Sequence, residues 1–199
     1  MQLNLDKLEL DTKWILSGKN SFLYFERTET TIDIALEDFN QKENQGKIVI
    51  ADIQEKGRGS FSKSWHSSPY KDLTFSIILG YKNQFNQNLV DETCYAIKNF
   101  LQLYGLESII KAPNDILIGN KKLAGVLLSK KTFNRLAYQT LSIGININSS
   151  VELKNYPFKA TSLCLELGQA VERESCLLEL INQIDRAIKR QIVQQFSLQ

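Results

Sequence analysis

Between residues 109 and 148, three runs rich in β-branched residues follow one another: "IIKAPNDILI", "KKLAGVLLS" and "AYQTLSIGININ". Nothing between them is long enough for a helix. Strands this close in sequence pair as neighbours, and Gly119-Asn120 between the first two suits a two-residue hairpin turn. This block commits the chain to a sheet with antiparallel pairs. Residues 22–29, 47–54 and 72–80 read as further strands, being short and dense in β-branched and aromatic side chains. Residues 30–40 place Ile32, Ala35 and Phe39 at helix-face spacing, with a threonine available as cap. Residues 86–105 put Val90, Cys94, Ile97, Leu101 and Tyr104 on one helical face and stop at Gly105. Residues 174–196 repeat Leu177, Ile181, Ile184, Ile188 and Ile192, the mark of a closing amphipathic helix. The expected fold is a single α+β domain over 1–199, a mixed or antiparallel sheet with helices packed on one side.

Composition narrows the function classes. A chain of 199 residues that is 43% hydrophobic and 23% charged builds a true core. Its 24 Lys+Arg against 22 Asp+Glu leave a net charge of +2, so no global charge favours wrapping nucleic acid, and any cationic chemistry is local. Cys94, Cys164 and Cys176 are far apart and lack metal-ligand spacing, and read as reduced. No run of eighteen uncharged apolar residues and no leader-like start occurs. The expectation is a cytoplasmic protein without membrane or nucleic-acid partners.

Three stretches carry chemistry. In "ADIQEKGRGSFSKSW" a β-branched run gives way to Gly57, Arg58 and Gly59, then to Trp65. Glycines let main-chain N–H groups approach a ligand, and Arg58 offers a planar fork of donors for carboxylate or phosphate. The natural reading is a disordered clamp; a solvated loop is the plain alternative. No "GK[ST]" follows, so it is not a P-loop. In "KAPNDILIGNKKLAG", Pro113 restricts Ala112 to extended geometry and fixes a bend at Asn114-Asp115. Asp115 can address a polyanion through Mg²⁺. Lys122, seven residues on and past a turn, returns alongside; its charge about 4 Å from a phosphate oxygen is worth on the order of 4 kcal/mol at an effective dielectric near 20. In "LSIGININ", Ile143, Ile145 and Ile147 alternate with Ser142, Gly144, Asn146 and Asn148, a small and polar row suited to a ligand's close approach.

Taken together, Gln54-x-x-Gly57-Arg58-Gly59 with Trp65, Lys111-x-Pro113-Asn114-Asp115 with Lys122-Leu123-Ala124-Gly125, Gly144-Ile145-Asn146-x-Asn148 and Ala160-Thr161-Ser162-Leu163 resemble the biotin protein ligases over roughly residues 24–167. The resemblance implies a class II aminoacyl-tRNA synthetase-like catalytic domain that joins biotin to ATP as biotinyl-5′-AMP and passes biotin to a lysine of a carboxylase's biotin carboxyl carrier domain. It implies catalytic roles for Arg58, Lys122 and Asp115, with Asp115 holding Mg²⁺. Biotin would meet Thr30, Thr31, Gln54, Gly57, Arg58, Lys122 and Gly125. ATP would meet Arg58, Gly59, Trp65, Asn114, Lys122 and Asn146. The chain would act as a monomer or homodimer, with neither an N-terminal DNA-binding domain nor a C-terminal β-barrel.

The chain departs from the family pattern in places. Ser60, Ser62 and Lys63 stand where the loop usually carries arginine, glycine and arginine; Ile32 stands for an asparagine, Ala112 for a frequent tryptophan and Ser142 for a glycine. The arginine missing at Ser60 predicts weaker retention of the adenylate. Two rival readings are a lipoate or octanoate ligase or transferase, and a degenerate module that binds biotin without turnover. His66, the only histidine, is read as a loop residue and not as a general base.

Overall fold

The computed structural model describes residues 1–5, 8–16, 21–37, 44–81, 84–150, 154 and 158–197, without the side chains of residues 62 and 194–197. In chain order the elements are β1 (Phe22–Thr28), α1 (Thr31–Glu37), β2 (Ile48–Gln54), β3 (Leu73–Gly80), α2 (Gln87–Leu103), β4 (Ile109–Lys111), β5 (Asp115–Ile118), β6 (Lys121–Phe133), β7 (Leu136–Ile145), α3 (Leu163–Leu167) and α4 (Arg173–Ser197). The seven strands form one sheet in the order β1-β2-β3-β7-β6-β5-β4. Only β1 and β2 run parallel, joined by the α1 crossover, so the sheet is mixed, as expected.

Alternation sorts the side chains. On one face Ile48, Ile50, Leu73, Phe75, Ile77, Leu141, Ile143 and Ile145 meet Leu89, Cys94, Ile97 and Phe100 of α2 and Leu177, Ile181, Ile184 and Ile188 of α4. The two long helices thus share one side of the sheet. The short α1 lies on the other side, where Ala35 joins Val49 and Ile78 in a small separate cluster. Phe39, expected to extend that helix, lies outside the described residues. The remainder of that second face is polar or bare, with Thr74, Ser76, Ser142 and Gly144 on adjacent strands. A sheet whose second face carries only the short α1 leaves room there for a site.

Residues 109–118, read above as one strand, are two. A cis Ala112–Pro113 bond turns the chain, so that β4 and β5 pair antiparallel with Lys111 opposite Asp115. The expected two-residue turn at Gly119-Asn120 follows, with Gly119 at φ 58° and Ile118 opposite Lys121. Helix α2 begins where Asn86 accepts a hydrogen bond from the Asn88 N–H at 2.9 Å and ends before Gly105, at φ 72°. Asn86→Ala is expected to cost about 1 kcal/mol of stability, the usual loss of a helix cap; urea unfolding would measure it. The three thiols are unpaired, and burial pushes Cys94 up to about 12. Among the described residues no helix is long and apolar enough to cross a membrane.

Candidate active site

The site lies on the half-open face, between α1, the 57–65 loop and the β5–β6 hairpin. Its lining includes Thr31, Gln54, Arg58, Trp65, Lys122 and Gly125. Plain alternation along β6 would put Lys122 on the face opposite Gly125, because their positions differ by three, an odd offset. The β5–β6 register slips between Ile116 and Leu117, so that Ala124 faces Ile116 but Lys122 faces Leu117. This bulge buries both Leu123 and Ala124 and turns Lys122 into the groove beside Gly125. There its ammonium lies 2.6 Å from an Asp115 carboxylate oxygen, 5.3 Å from the Trp65 ring and 5.6 Å from the Phe158 ring. The return of Lys122 to Asp115, read from spacing, is what the structure shows. Phe158 carries no signal in the sequence.

The loop is folded, not the disordered clamp expected from its composition. The Trp65 N–H donates to Gly57 O at 2.8 Å, the Gly59 N–H donates to Lys63 O at 2.7 Å, and Arg58 bridges to Ser64. Gly57 is required at this closure, since a Cβ there would lie 2.5 Å from the Trp65 carbonyl oxygen. Two polar contacts tie the loop to both walls of the groove. Arg58 pairs with Asp33 of α1, a residue absent from the expected site, and Ser60 Oγ accepts from Asn114 Nδ2 at 2.7 Å. The same Asn114 amide donates to Val126 O at 2.5 Å, so its donor group is committed to the fold. The Trp65 indole lies on Gly125 and Gly144, which face one another across β6 and β7. The free volume left in the groove is about 40 Å³.

Under α1 a row of hydrogen bonds crosses the sheet. The Thr31 N–H donates to Gln54 Oε1 at 2.8 Å, Thr31 Oγ1 lies 2.8 Å from Ser76 Oγ, and Ser76 Oγ lies 2.8 Å from Ser142 Oγ. Ser142, a departure from the family pattern, is therefore part of an internal network. Thr30 is placed differently from its neighbour: its Oγ1 accepts from the Ile32 N–H at 3.3 Å and caps the helix, and it does not line the groove. Asn146 sits behind Lys122, donating to Thr161 O at 2.9 Å, and its buried Oδ1 has no partner among the described residues. Trp65 Nε1 is likewise buried and unpaired. Residues 160–163 close this side, since the Thr161 N–H donates to Lys122 O at 2.9 Å and Ser162 caps α3.

Among the described residues no cluster of three His, Cys, Asp or Glu offers a ready metal cage. Asp115 supplies one carboxylate at the groove, which fits an ion carried in by phosphates better than one held by protein alone.

Residues 24–148 match the model of the biotin/lipoate A/B protein ligase family. The chain belongs to that family. Among curated relatives, the bifunctional ligase/repressor BirA of Bacillus subtilis (strain 168) is 28% identical over 189 residues, covering 90% of this chain and 57% of BirA. The chain therefore spans a little over half the length of that relative. Biotin protein ligase from Aquifex aeolicus, solved in complex with biotin and ATP, superposes with a TM-score of 0.71 at 25% identity, covering 86% of this chain and 72% of that one. P. falciparum LipL1, solved with lipoate, shares the fold at 12% identity and a TM-score of 0.53, covering 85% and 62%. The ligase-family fold is thus common to both substrate types, and the residues in the groove must separate them.

Proposed function

We propose that this family member is an ATP-dependent ligase that activates biotin as biotinyl-5′-AMP and transfers it to a lysine of a biotin carboxyl carrier domain, in a cytoplasmic setting. The observation that carries this reading is the Lys122–Asp115 pair, turned by a bulge into a groove that the Arg58 and Trp65 loop roofs over. A biotin carboxylate oxygen attacks the α-phosphorus of ATP, the bond to pyrophosphate breaks, and a mixed anhydride forms. A lysine amine then attacks its acyl carbon and AMP leaves, giving an amide. Two anions must meet in the first step, and Lys122 and Arg58 are the cations placed to offset their charge. Mg²⁺ bound through the phosphates and Asp115 would supply further charge neutralisation. Asn146 Oδ1, without a partner among the described residues, is an acceptor suited to an exocyclic amino group, and an unpaired buried acceptor costs about 1–3 kcal/mol until a donor arrives.

With so little free volume, the loop must lift to admit either substrate, releasing Arg58 from Asp33 and Ser60 from Asn114. Thr31 and Gln54 then face the biotin ring system. Pyrophosphate release from ATP and Mg²⁺, compared with biotin, lipoate and octanoate, tests the reading. Release with biotin is expected; release only with lipoate moves the protein to the sister activity, and silence with all three leaves a binding module.

Ser60→Arg bears on the retention of the adenylate. It breaks the contact with Asn114 but adds a cation over the anhydride, and a gain of about 1.4 kcal/mol would lengthen the half-life of bound biotinyl-AMP about tenfold. A half-life unchanged by the substitution would remove Ser60 as the cause of weak retention.

A further inference from the structure

The loop leaves the site through Ser68, Pro69, Tyr70 and Lys71 before β3 begins, and this exit is strained. Tyr70 sits at φ 59°, a left-handed conformation that costs a residue with a Cβ about 1–3 kcal/mol and persists only where its surroundings impose it. Tyr70 itself donates from its N–H to Asp52 O at 3.3 Å and from its hydroxyl to Glu26, and the turn around it is gathered by the next residue but one. Asp72 is 3% exposed, and its carboxylate gathers donors from Ser68, Ile147 and Ser149. Oδ2 accepts from the Ser68 N–H at 2.7 Å and from Ser149 Oγ, and Oδ1 accepts from the Ile147 N–H at 3.0 Å. The Lys71 N–H closes the turn on Ser68 O at 3.1 Å, and the Asn148 N–H donates to Lys71 O at 3.0 Å. Ser149 Oγ also reaches Ser68 Oγ at 2.9 Å.

We propose that Asp72 is a positioning residue of the site: by pinning Ser68 to Ile147 and Ser149, it fixes the loop's exit against the end of β7 and thereby sets where Trp65 lies over Gly144. Trp65 is three residues before Ser68, and Gly144 is three residues before Ile147, so one carboxylate ties together the two backbones that bring indole and glycine into contact. Nothing in the expected site included it, and it does not line the groove. A buried carboxylate is a costly way to close a turn. Burial pushes Asp72 upward against the pull of the Ser149, Ser68 and Ile147 hydrogen bonds. An acid whose value is raised by folding weakens the fold as pH rises through that value, which is a poor device for stability alone.

The consequence for turnover rests on the proposed ligase activity; the placement of Trp65 does not. The chain has two tryptophans, and Trp14 packs edge-on against Phe85 away from the groove, so Trp14→Phe leaves Trp65 as sole reporter. In that background Asp72→Ala is expected to raise acrylamide quenching of Trp65 about threefold at a temperature well below unfolding. Asp72→Asn, which keeps one acceptor, should fall between, and Ser149→Ala should give a smaller rise. If Asp72→Ala does not fold, the other two variants decide. Equal quenching in every folded variant overturns the proposal. In steady state Asp72→Ala should lower kcat/KM for ATP about tenfold, with Asp72→Asn recovering part of it. If the wild-type protein shows no turnover with biotin, the ligase reading fails while the quenching series still decides the role of Asp72.

Discussion

Replacing Lys122 with alanine is expected to lower biotin-dependent pyrophosphate release about a thousandfold, roughly 4 kcal/mol of transition-state stabilisation. The melting temperature should move by only a few degrees. Both expectations come from where the side chain sits. Lys122 and Asp115 keep side-chain exposures of 22% and 28%, so water can reach Asp115 when its partner is lost, and the cost to folding is modest. Chemistry has no such substitute. Arg58, the other cation of the groove, sits on the loop and is half-exposed, held by Asp33. Lys122 is held by a strand, an acid and two aromatic rings. A charge whose position is fixed before the reaction needs no reorganisation as the pentavalent phosphorus develops, which is why its removal should outweigh removal of Arg58, which must first leave Asp33. Lys122→Arg separates charge from shape: partial activity is expected from the retained cation. Near-wild-type turnover in Lys122→Ala would take Lys122 out of the mechanism and leave the charge to be neutralised by the metal ion and Arg58.

What the sequence could and could not say about this site follows from the range of each signal. The glycine pairs, the Asn114-Asp115 bend and the Gly119-Asn120 turn are local, and each is where its residue types require it to be. The small and polar alternation of Ser142 and Gly144 is local too, and it marks the face of β7 that lines the groove. The β6 bulge is not local. Strict alternation from Gly125 would have turned Lys122 away from the groove, and only pairing with β5 reverses this. Lys130 to Phe133 lie beyond the run read as a strand, yet they extend β6 to a turn at Asn134-Arg135, where both residues are left-handed without a glycine. The order of the loop was likewise invisible. Its composition suggests freedom, but Trp65 finds a flat seat on Gly125 and Gly144, which lie 60 and 79 residues further along the chain, and that seat, with Asp33 and Asn114, fixes the loop. Asp33 and Asp72 were missed for one reason: each acts on a partner far along the chain, and an isolated acid has no motif.

Glycine 144 gives the second large expectation: Gly144→Ala should lower turnover about a hundredfold with the fold intact. Its Cβ would lie 2.6 Å from both Cζ2 and Nε1 of Trp65, a separation that real side chains do not reach, and the indole would have to leave its seat. The backbone itself is undisturbed. Gly144 is an ordinary extended residue of β7, paired with Thr74 on one side and Gly125 on the other, and alanine can make the same ladder. The cost therefore falls on the groove. Whatever lies flat there during the cycle, the indole when the site is empty or a planar ring when it is filled, needs the same missing Cβ. A displacement of about 1 Å at a reacting centre is enough for a loss of this size. Pyrophosphate release and a thermal melt measured on the same preparation would separate the two effects. Trp65 fluorescence in the Trp14→Phe background should shift to the red in Gly144→Ala as the indole enters water. A variant with unchanged turnover and unchanged emission would show that the close approach of Trp65 to β7 has no part in the chemistry. A red shift with full turnover would instead assign the glycine to loop closure alone, with ligand binding indifferent to the added methyl group.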